Sequence, residues 1–410
     1  MSYEKQYLKG DKLLDISNYQ FKSIKNALKL KKKKTIKKIK DSELKGRGGA
    51  GFPTGIKWEM AAAIEAEEKF LVCNGDEGEP GTFKDRYLLE ERPLKVLEGI
   101  MLAAFAVGAD KAYIYIRGEY SKAIEVFSKI IEAAEKENIL GQEIFDSDFK
   151  LELKLIRGAG AYVCGDETSL LNSIEGKRGR SRIKPPYPIE KGLFNQPTVV
   201  NNVESLCCAA EVMNPDSEEF ANLGIKGSRG TKLLCLSGDL NKPGLYEVEF
   251  GKITLEEIIY ELGGGIKTGQ DLRFVVPGGI STALIKAEEL DFPYTYQAFE
   301  NVSSSLGSGA VIAVSKKHDL LDLMLNVSRF YMDETCGTCF PCREGNRQIN
   351  KILKSFKNDG KKIDAELISD IGNTIRLAAR CGLGQSSLNF ITSVIENYGE
   401  ELKIGGKIYA

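Results

Sequence analysis

Short strand-like runs alternate with longer helical runs from residue 46 to about residue 228, and this alternation limits the possible folds more than any other feature of the chain. The predicted strands are 69–73, 111–116 and 149–156, and the predicted helices are 58–68, 87–107, 121–136 and 169–174. A helix between two strands lets the chain cross the sheet and return in the same direction, so such strands pair in parallel. We therefore predict an α/β domain on a parallel sheet.

The pattern changes near residue 230 and again near residue 319. Between these points the predicted strands are 231–237, 246–250, 273–276 and 310–314, with one helix at 254–262. After them the periodicity is helical throughout, with predicted helices at 320–331, 344–356, 365–380 and 388–398. The chain is therefore divided into a lysine-rich segment (1–45), an α/β domain (46–230), a small α+β domain (231–318) and a helical bundle (319–410).

The charge balance excludes some partner classes. Lys and Arg number 57 and Asp and Glu number 58, so no basic excess points to nucleic acid or to an anionic membrane. The lysines of 31–40 are a docking patch or a solvated helix face, and the second is the commoner behaviour of such runs. Residues 1–11 lack an apolar leader, and the longest apolar stretch, 100–109, is too short to span a bilayer. We expect a cytoplasmic protein without a membrane span.

Cysteine spacing points to a metal centre. Cys336, Cys339 and Cys342 follow the pattern C-x₂-C-x₂-C, and Cys381 lies farther along the chain. Three thiolates at this spacing wrap one face of an iron–sulfur cube and a remote fourth closes it, whereas structural zinc usually takes two separated pairs. We therefore expect a [4Fe–4S] cluster, with zinc as the alternative. The remaining cysteines are interpreted as core residues: Cys73, Cys164, Cys207, Cys208 and Cys235.

A single histidine limits the possible chemistry. His318 lies beside two lysines and is interpreted as a surface residue. Catalysis by a histidine base and sites built from several imidazole ligands are therefore not expected.

A glycine-rich loop at 46–55 contains five glycines in ten residues, including G-x-G-x-x-G at Gly46, Gly48 and Gly51. No strand precedes it, as the dinucleotide fingerprint requires, so the match alone is weak. Glycines still let backbone N–H groups approach a phosphate, and a helix start and Lys57 follow. The alternative is a flexible surface loop, which would expose the apolar residues that the segment carries.

Three further loops carry polar groups next to predicted strands or helices. Residues 73–86 place Asn74 and three carboxylates after a buried strand, where they could hold ribose hydroxyls, a flavin edge or a carboxamide. A paired-carboxylate hydrolase and a solvated turn are the alternatives for that segment, and its residues do not decide between them. Loops 158–168 and 197–204 also lead into helices. Four such loops in one α/β region suggest one composite site.

Five motifs in order carry a family resemblance. They are KGRGGAGFPTGIKW at 45–58, CNGDEGEPGTFKDR at 73–86, GAYVCGDETSLLNSIEGKRGRSRIKPPYP at 160–188, NNVES at 201–205 and CGTCFPCREG at 336–345. From about residue 40 onward the chain resembles the NADH-binding flavoprotein subunit of respiratory complex I, and equally the diaphorase subunits of NAD-linked or electron-bifurcating hydrogenases and formate dehydrogenases. The resemblance implies a Rossmann-like FMN/NADH domain, a ubiquitin-like (soluble-ligand-binding β-grasp) domain and a helical bundle with an iron–sulfur cluster.

The resemblance also implies roles for individual residues. FMN would be bound by Gly46, Gly48, Lys57, Asn74, Asp76, Gly165, Asp166, Glu167, Asn201 and Asn202. NADH would be bound by Gly49, Phe52, Lys57, Glu79, Tyr162, Glu167 and Tyr187, with aromatic groups on both sides of the adenine. The cluster ligands would be Cys336, Cys339, Cys342 and Cys381. Met60 and Tyr187 replace phenylalanines common in relatives, and Asp166 replaces a common glutamate.

The activity implied by the resemblance is NADH dehydrogenation. Hydride would pass from NADH to FMN, and single electrons would pass through the cluster to a small thioredoxin-like [2Fe–2S] subunit and a larger iron–sulfur subunit. Glu167 near the adenosine ribose would favour NADH over NADPH. Two other classes compete with this one: a subunit of an ion-pumping ferredoxin oxidoreductase, and a non-enzymatic ligand-binding scaffold. The first class carries ferredoxin motifs of the type C-x₂-C-x₂-C-x₃-C-P, and this chain lacks that motif because residue 346 is Asn. The expected location is the cytoplasm or the cytoplasmic face of a membrane complex.

Overall fold

The first domain is built on a parallel sheet, in a computed structural model that describes residues 6–10, 12, 14–360, 363–402 and 404. Its strands are β1 (Phe70–Gly75), β2 (Lys111–Ile116), β3 (Glu152–Arg157) and β4 (Thr198–Asn202). They lie in the order β3–β2–β1–β4, and every neighbouring pair is parallel. The predicted α/β domain on a parallel sheet is confirmed. The outer ends of the predicted terminal segments, residues 1–5 and 405–410, lie outside the described residues.

Eight helices accompany this sheet in the part of the chain that the structure describes. They are α1 (Lys22–Asp41), α2 (Thr54–Ala63), α3 (Lys84–Glu91), α4 (Pro93–Val107), α5 (Ser121–Lys136), α6 (Glu167–Ile174), α7 (Pro188–Lys191) and α8 (Val203–Met213). All residues of α4 are buried, in line with its continuous apolar sequence. The prediction of one helix over 87–107 was wrong. The backbone leaves helical geometry at Arg92, because Pro93 lacks an N–H and disfavours helical geometry in the residue before it.

The lysine-rich segment contributes helix α1 to the core of the first domain. Ile24, Ala27 and Ile39 are fully buried there, while the four lysines of 31–34 are exposed. The chain bends at Lys31, whose φ is 68°. The alternation of apolar and basic residues thus gives this helix one packed face and one solvated face.

The second domain is a mixed sheet with short helices. A small hairpin, β5 (Gly224–Ile225) and β6 (Ser228–Arg229), precedes it. Its strands are β7 (Thr231–Gly238), β8 (Gly244–Glu249), β9 (Leu272–Val276), β10 (Ile285–Lys286) and β11 (Ala310–Ser315), in the order β10–β9–β11–β7–β8. Its helices are α9 (Leu255–Glu257), which continues as one π-helical turn (Ile258–Leu262), and α10 (Tyr296–Asn301). Within this sheet of described residues, the β7–β11 pair is parallel and the other three pairs are antiparallel. We call this unit the β-grasp domain.

The third unit is a helical bundle. Its helices are α11 (Leu320–Glu334), α12 (Phe340–Asp359), α13 (Ala365–Ala378), α14 (Gly382–Ser386) and α15 (Asn389–Tyr398). One hydrophobic core runs from Val72 of β1 and Leu170 of α6 into Met324, Ile349 and Ile391 of the bundle. The bundle therefore packs directly against the first domain. No helix in the described part of the chain is long and apolar enough to cross a bilayer.

Candidate functional site

Four loops meet at the carboxyl edge of the parallel sheet. Asn74 lies at the end of β1, Arg117 directly follows β2, a turn at Tyr162–Gly165 follows β3, and Asn202 ends β4. All four strands point in the same direction, so their carboxyl ends share one edge, which is where α/β sheets bind ligands. Three of the four loops that the sequence predicted to form one composite site, 73–86, 158–168 and 197–204, therefore share this edge.

The glycine-rich loop is anchored on β4 and α8. The Trp58 Nε1–H donates to Asn201 Oδ1 (2.8 Å), and the Arg47 backbone N–H donates to Ser205 Oγ (2.7 Å). Gly48 lies so close to this wall that an added Cβ would be 3.0 Å from the Cβ of Asn202. A side chain at Gly48 would press on β4, so glycine here lets the loop backbone approach it closely.

The acidic loop after β1 contains a buried carboxylate with an unpaired oxygen. Asp76 Oδ2 has no hydrogen-bond partner among the described residues, and Oδ1 lies 4.0 Å from Arg117 Nε. Burial raises the pKa of Asp76 to about 7, with Arg117 acting in the opposite direction. Buried acceptors are normally bonded, so this oxygen suits a ligand that carries a hydrogen-bond donor. The neighbouring Asn74 Nδ2 donates to the carbonyl of Gly165 (3.0 Å) and joins two loops.

Two lysines flank Glu167 at the start of α6. Lys184 Nζ donates to Glu167 Oε1 (2.8 Å), and Lys57 Nζ lies 3.9 Å from Glu167 Oε2. Burial lowers the pKa of Lys57, while Glu167 opposes this effect. Two cations beside a glycine-rich loop can bind phosphate. Sequence reasoning missed Lys184 and Arg117 as site residues, although Arg117 follows a predicted strand and that position was the available signal.

Apolar side chains on one side of the glycine-rich loop are exposed. Phe52 is 47% exposed, and Ile56 and Met60 of α2 follow it at helical spacing. Tyr187, three residues after Lys184, is 52% exposed. Exposed rings beside cationic groups fit a planar heterocycle that carries phosphate.

Tyr162 connects the first domain to the bundle. Its hydroxyl donates to Glu79 Oε2 (2.6 Å), and its backbone N–H donates to Glu334 Oε2 on α11 (2.9 Å). Its ring packs against Phe330 with centroids 5.1 Å apart. Glu79 and Tyr162, both expected to face NADH, are thus in direct contact.

Several predicted site residues have structural hydrogen bonds of their own. Asp166 caps α6 by accepting from the backbone N–H groups of Thr168 and Ser169. Asn202 Nδ2 donates to Asp85 Oδ2 (2.6 Å). Gly46 donates its backbone N–H to the Phe52 carbonyl, which closes the glycine-rich loop. Gly49 has a φ of 126° and approaches the β-grasp domain.

A buried ion network behind this site was not anticipated from the sequence. Glu204 Oε2 lies 3.2 Å from Lys84 Nζ and accepts from Lys232 Nζ (2.6 Å), and all three side chains are almost completely buried. Lys232 belongs to β7, so the network joins the first domain to the β-grasp domain. Lys84 also pairs with Asp85 (2.8 Å), the partner of Asn202.

The four candidate cluster cysteines lie at two helix starts in one core. Cys336 and Cys339 precede α12, Cys342 lies in its first turn, and Cys381 caps α14. Burial raises the pKa of Cys381 to about 11, and the charges of Asp166 and Cys336 add to this effect. One hydrophobic core brings the segment 336–342 and Cys381 together, and three closely spaced thiolates with a remote fourth could hold a four-iron cube.

The other cysteines and the histidine have the environments predicted for them. Five cysteines are buried: Cys73, Cys164, Cys207, Cys208 and Cys235. His318 is 41% exposed and lies 2.9 Å from Asp239.

Three family models match the chain. Residues 39–211 match the Nuo51 FMN-binding domain, residues 232–313 the SLBB domain, and residues 322–404 the iron–sulfur binding region of NADH-ubiquinone oxidoreductase F. The chain is 40% identical over 367 residues to the second F subunit of the NADH-quinone oxidoreductase of Rhizobium meliloti, covering 89% of this chain and 87% of that one. Its identity to the F subunit of the NADH-quinone oxidoreductase of Aquifex aeolicus is also 40%, over 95% of this chain and 90% of the relative.

Hydrogenase subunits are similar as well. The HndC subunit of the NADP-reducing hydrogenase of Solidesulfovibrio fructosivorans is 39% identical, over 88% of this chain and 74% of its own length. Among solved structures, a chain of the NAD⁺-reducing [NiFe]-hydrogenase in the H₂-reduced state superposes with a TM-score of 0.83 at 33% identity. That superposition covers 96% of this chain and 66% of the hydrogenase chain.

Proposed function

This chain belongs to the family of NADH-quinone oxidoreductase F subunits, and we propose that it transfers hydride from NADH to FMN and passes electrons through a [4Fe–4S] cluster to partner proteins. The observation that carries the proposal is the meeting of four polar loops at one sheet edge, with the cysteine loops packed on the same core. When bound, FMN supplies a centre that takes up two electrons and releases them one at a time.

The proposed FMN site uses the deep part of the sheet edge. Gly46, Gly48 and Lys57 are assigned to the phosphate and ribityl chain, and Asn74 and Asp76 to the ring. The unpaired buried oxygen of Asp76 supports this assignment, because it needs a donor that the described protein residues do not supply. The residues completing the pocket are Gly165, Asp166, Glu167, Asn201 and Asn202. The hydrogen bonds of Asp166 and Asn202 indicate that these two shape the pocket by fixing its loops.

The proposed NADH site lies outside the flavin, toward the exposed rings. Phe52 and Tyr187 are assigned to the two faces of the adenine, because both rings are about half exposed beside lysines. Glu79 and Tyr162 are assigned to the other end of the dinucleotide, and Gly49 and Glu167 complete the set. The protein groups thus bind and orient NADH, and the hydrogen-bonded Glu79–Tyr162 pair fixes one wall of the site.

Cys336, Cys339, Cys342 and Cys381 are the proposed cluster ligands. The Arg178 side chain, from the first domain, donates to the Cys336 carbonyl (2.8 Å), so the flavin side of the molecule reaches the cysteine loop. Burial of two of the four thiols limits water near the cluster.

An anaerobic titration with NADH tests the proposed function. The purified chain should show flavin absorption on a broad iron–sulfur background, and both should bleach when NADH is added. A colourless anaerobic preparation, or a coloured one that NADH does not bleach, would contradict the proposal.

The partners are proposed to be a small thioredoxin-like [2Fe–2S] subunit and a larger iron–sulfur subunit. Phe340, between two of the proposed cluster ligands, is 67% exposed, and Leu377 of α13 is 82% exposed. Exposed apolar groups next to a redox centre suit an electron-transfer interface. The isolated chain should reduce artificial dyes with NADH but reduce its native acceptor only when partners are added. Full native turnover by the chain alone would refute this.

A hydrogenase or formate dehydrogenase diaphorase is the second candidate setting. The similarity to two hydrogenase subunits favours it. Purification of the native complex separates the candidates, since H₂- or formate-dependent reduction of NAD⁺ occurs only in the second setting. We further infer a cytoplasmic location, because three cysteines crowded into residues 336–342 fit a metal site in a reducing compartment better than a disulfide framework. Labelling intact cells with a membrane-impermeant reagent should leave the chain unmodified.

A further inference from the structure

The β9–β10 loop of the β-grasp domain, residues 278–284, lies against the acidic loop of the first domain. The backbone N–H of Ser281 donates to Glu79 Oε1 (3.0 Å), while the Tyr162 hydroxyl holds Oε2 (2.6 Å). Ser281 and Tyr162 therefore hold different oxygens of the same carboxylate. The orientation of Glu79 is therefore decided by two domains together.

A glycine permits this contact. Gly279 has a φ of 91°, and an added Cβ would lie 2.3 Å from Glu79 Oε1 and 2.5 Å from its Cγ. No real Cβ tolerates such distances, so any side chain at Gly279 must displace the carboxylate or the loop. The loop backbone thus forms one side of the space that Glu79 occupies.

The loop itself is held from both sides. Thr282 Oγ accepts the Gly278 N–H (3.3 Å) and donates to the Gly279 carbonyl (2.9 Å). Asn389 of α15 donates to the Ser281 carbonyl (2.9 Å). Displacing the loop as a whole would break the Asn389 bond and the bond from the Gly279 N–H to the Ala310 carbonyl of β11 (2.9 Å), so the strain of a side chain at Gly279 falls mainly on Glu79.

We propose that the β9–β10 loop is part of the NADH site, with Gly279 and Ser281 as positioning residues that set the affinity for the dinucleotide through Glu79. A prepositioned carboxylate loses less conformational freedom when it accepts a hydrogen bond from a ligand hydroxyl or amide. The β-grasp domain then contributes to dinucleotide recognition without needing a ligand of its own. This inference rests on the proposed function, because it takes Glu79 to face NADH.

Gly279→Ala tests the inference, with Gly269→Ala as the matched control. Gly269 lies in the same domain with a φ of 77°, but nothing lies within 4 Å of its added Cβ, so the control reproduces the backbone strain without the collision. The FMN-loaded chains are titrated with NAD⁺ by calorimetry, and KM for NADH and kcat are measured with ferricyanide. We expect Gly279→Ala to weaken NAD⁺ binding about tenfold and to raise KM more than it lowers kcat. The control should stay within about twofold of wild type.

A double variant adds a readout that a purely structural role would not move. Glu79→Asp shortens the side chain by one methylene, which makes room for a Cβ at residue 279. The double variant with Gly279→Ala should therefore bind NAD⁺ more tightly than the sum of the two single effects predicts. Additive single effects would overturn the inference. If Gly279→Ala loses FMN, Thr282→Val is used as the test variant instead, because it removes the hydroxyl that bonds Gly278 and Gly279 within the loop. Weaker NAD⁺ binding by Thr282→Val with full FMN content would support the inference, and unchanged NAD⁺ binding would overturn it.

The same data separate the inference from the proposed function. Wild-type chain that neither binds NAD⁺ nor oxidises NADH refutes the proposed function. Wild-type activity combined with identical Gly279→Ala and Gly269→Ala affinities refutes the role of the loop alone.

Discussion

The flavin side of this molecule and its cluster side are held in place by different interactions. On the flavin side, side chains bond segments that are distant in the chain, as Trp58 of α2 bonds Asn201 of β4 and Asn74 of β1 bonds the carbonyl of Gly165. The four cysteines of the cluster side lie at the starts of α12 and α14, and the Cys342 sulfur lies 3.3 Å from Thr335 Oγ1 of the same segment. The proposed cluster would add metal–ligand bonds between these two helix starts, and such bonds supply folding free energy, so the two sides should respond differently to the loss of one side chain.

Cys339→Ala should show the largest effect and tests this difference directly. It removes one of the proposed ligands, so cluster absorption should be lost completely, while FMN and NADH-driven reduction of a dye that reacts at FMN should remain. Iron and sulfide analysis, FMN content and dye reduction are measured on the same preparation.

Cys208→Ala is the matched control, because Cys208 is fully buried in the core of the first domain. It should keep the full cluster content. Parallel loss of FMN and cluster in Cys339→Ala would show that the cluster also holds the flavin side together. The proposed difference between the two sides would then be refuted.

Glu204→Gln should weaken the flavin side by removing a protein interaction. The change leaves Lys84 and Lys232 buried without their shared carboxylate, which costs about 3–5 kcal/mol. Calorimetry should show a lower unfolding temperature with unchanged iron content. The control, Glu125→Gln, breaks an exposed ion pair to Lys129 and should leave the temperature unchanged. Equal unfolding temperatures for Glu204→Gln and Glu125→Gln would mean that the network does not hold the two domains together.

Asp76→Asn should change the pH dependence of stability in the FMN-free chain. Burial raises the pKa of Asp76 from 3.8 to about 7, so the folded chain binds this proton more tightly than the unfolded chain. Its contribution to stability is complete below about pH 4 and is lost as the pH rises through about 7. The variant should therefore be more stable than wild type at pH 8, by on the order of 2–4 kcal/mol.

Denaturation curves at several pH values measure this difference, and Glu132→Gln on the exposed face of α5 serves as the control. Saturating FMN should reduce the difference between wild type and variant, because the ligand then bonds Asp76. If the difference in free energy of unfolding between wild type and Asp76→Asn did not vary between pH 5 and pH 8, the assignment of Asp76 as a buried, unpaired acid would be contradicted.

Glu167→Gln should have the smallest effect. Wild type should prefer NADH to NADPH, since a carboxylate near the adenosine ribose repels a 2′-phosphate. Lys57 and Lys184 partly balance the charge of Glu167. Removing that charge should therefore lower the ratio of kcat/KM for NADH to kcat/KM for NADPH by only about tenfold. Diaphorase assays with both donors measure the ratio. Comparable wild-type values for NADH and NADPH would contradict the prediction.

Local pattern was sufficient for most of the fold. Parallel strands in the first domain, a small mixed domain and a final bundle all followed from periodicity and from turn residues, because those signals act within a few residues. The break before Pro93 was missed, although proline is itself a local signal, because the apolar pattern continues across it. The packing of α1 against the first core was not predicted, since its lysines mask a narrow apolar face.

Part of the candidate site was equally accessible from the sequence. The glycine-rich loop, the acidic loop and the cysteine triplet are contiguous motifs, and their residue types suit phosphate, polar ligand groups and iron. Lys184 and Arg117 were missed because each acquires its role only from a neighbour distant in the chain. Which site residues keep free bonding capacity, as Asp76 does, could not be predicted either.

The sequence by itself determined which chemical groups this protein brings to its site, because glycine spacing, strand-end carboxylates and C-x₂-C-x₂-C are written in consecutive residues. Tertiary structure alone decided which of them meet. The contact of Ser281 with Glu79 joins residues 202 positions apart, and the pairing of Lys232 with Glu204 crosses a domain boundary. Such contacts depend on how whole elements pack, and the packing of sheets and helices depends on the shape and burial of many side chains at once.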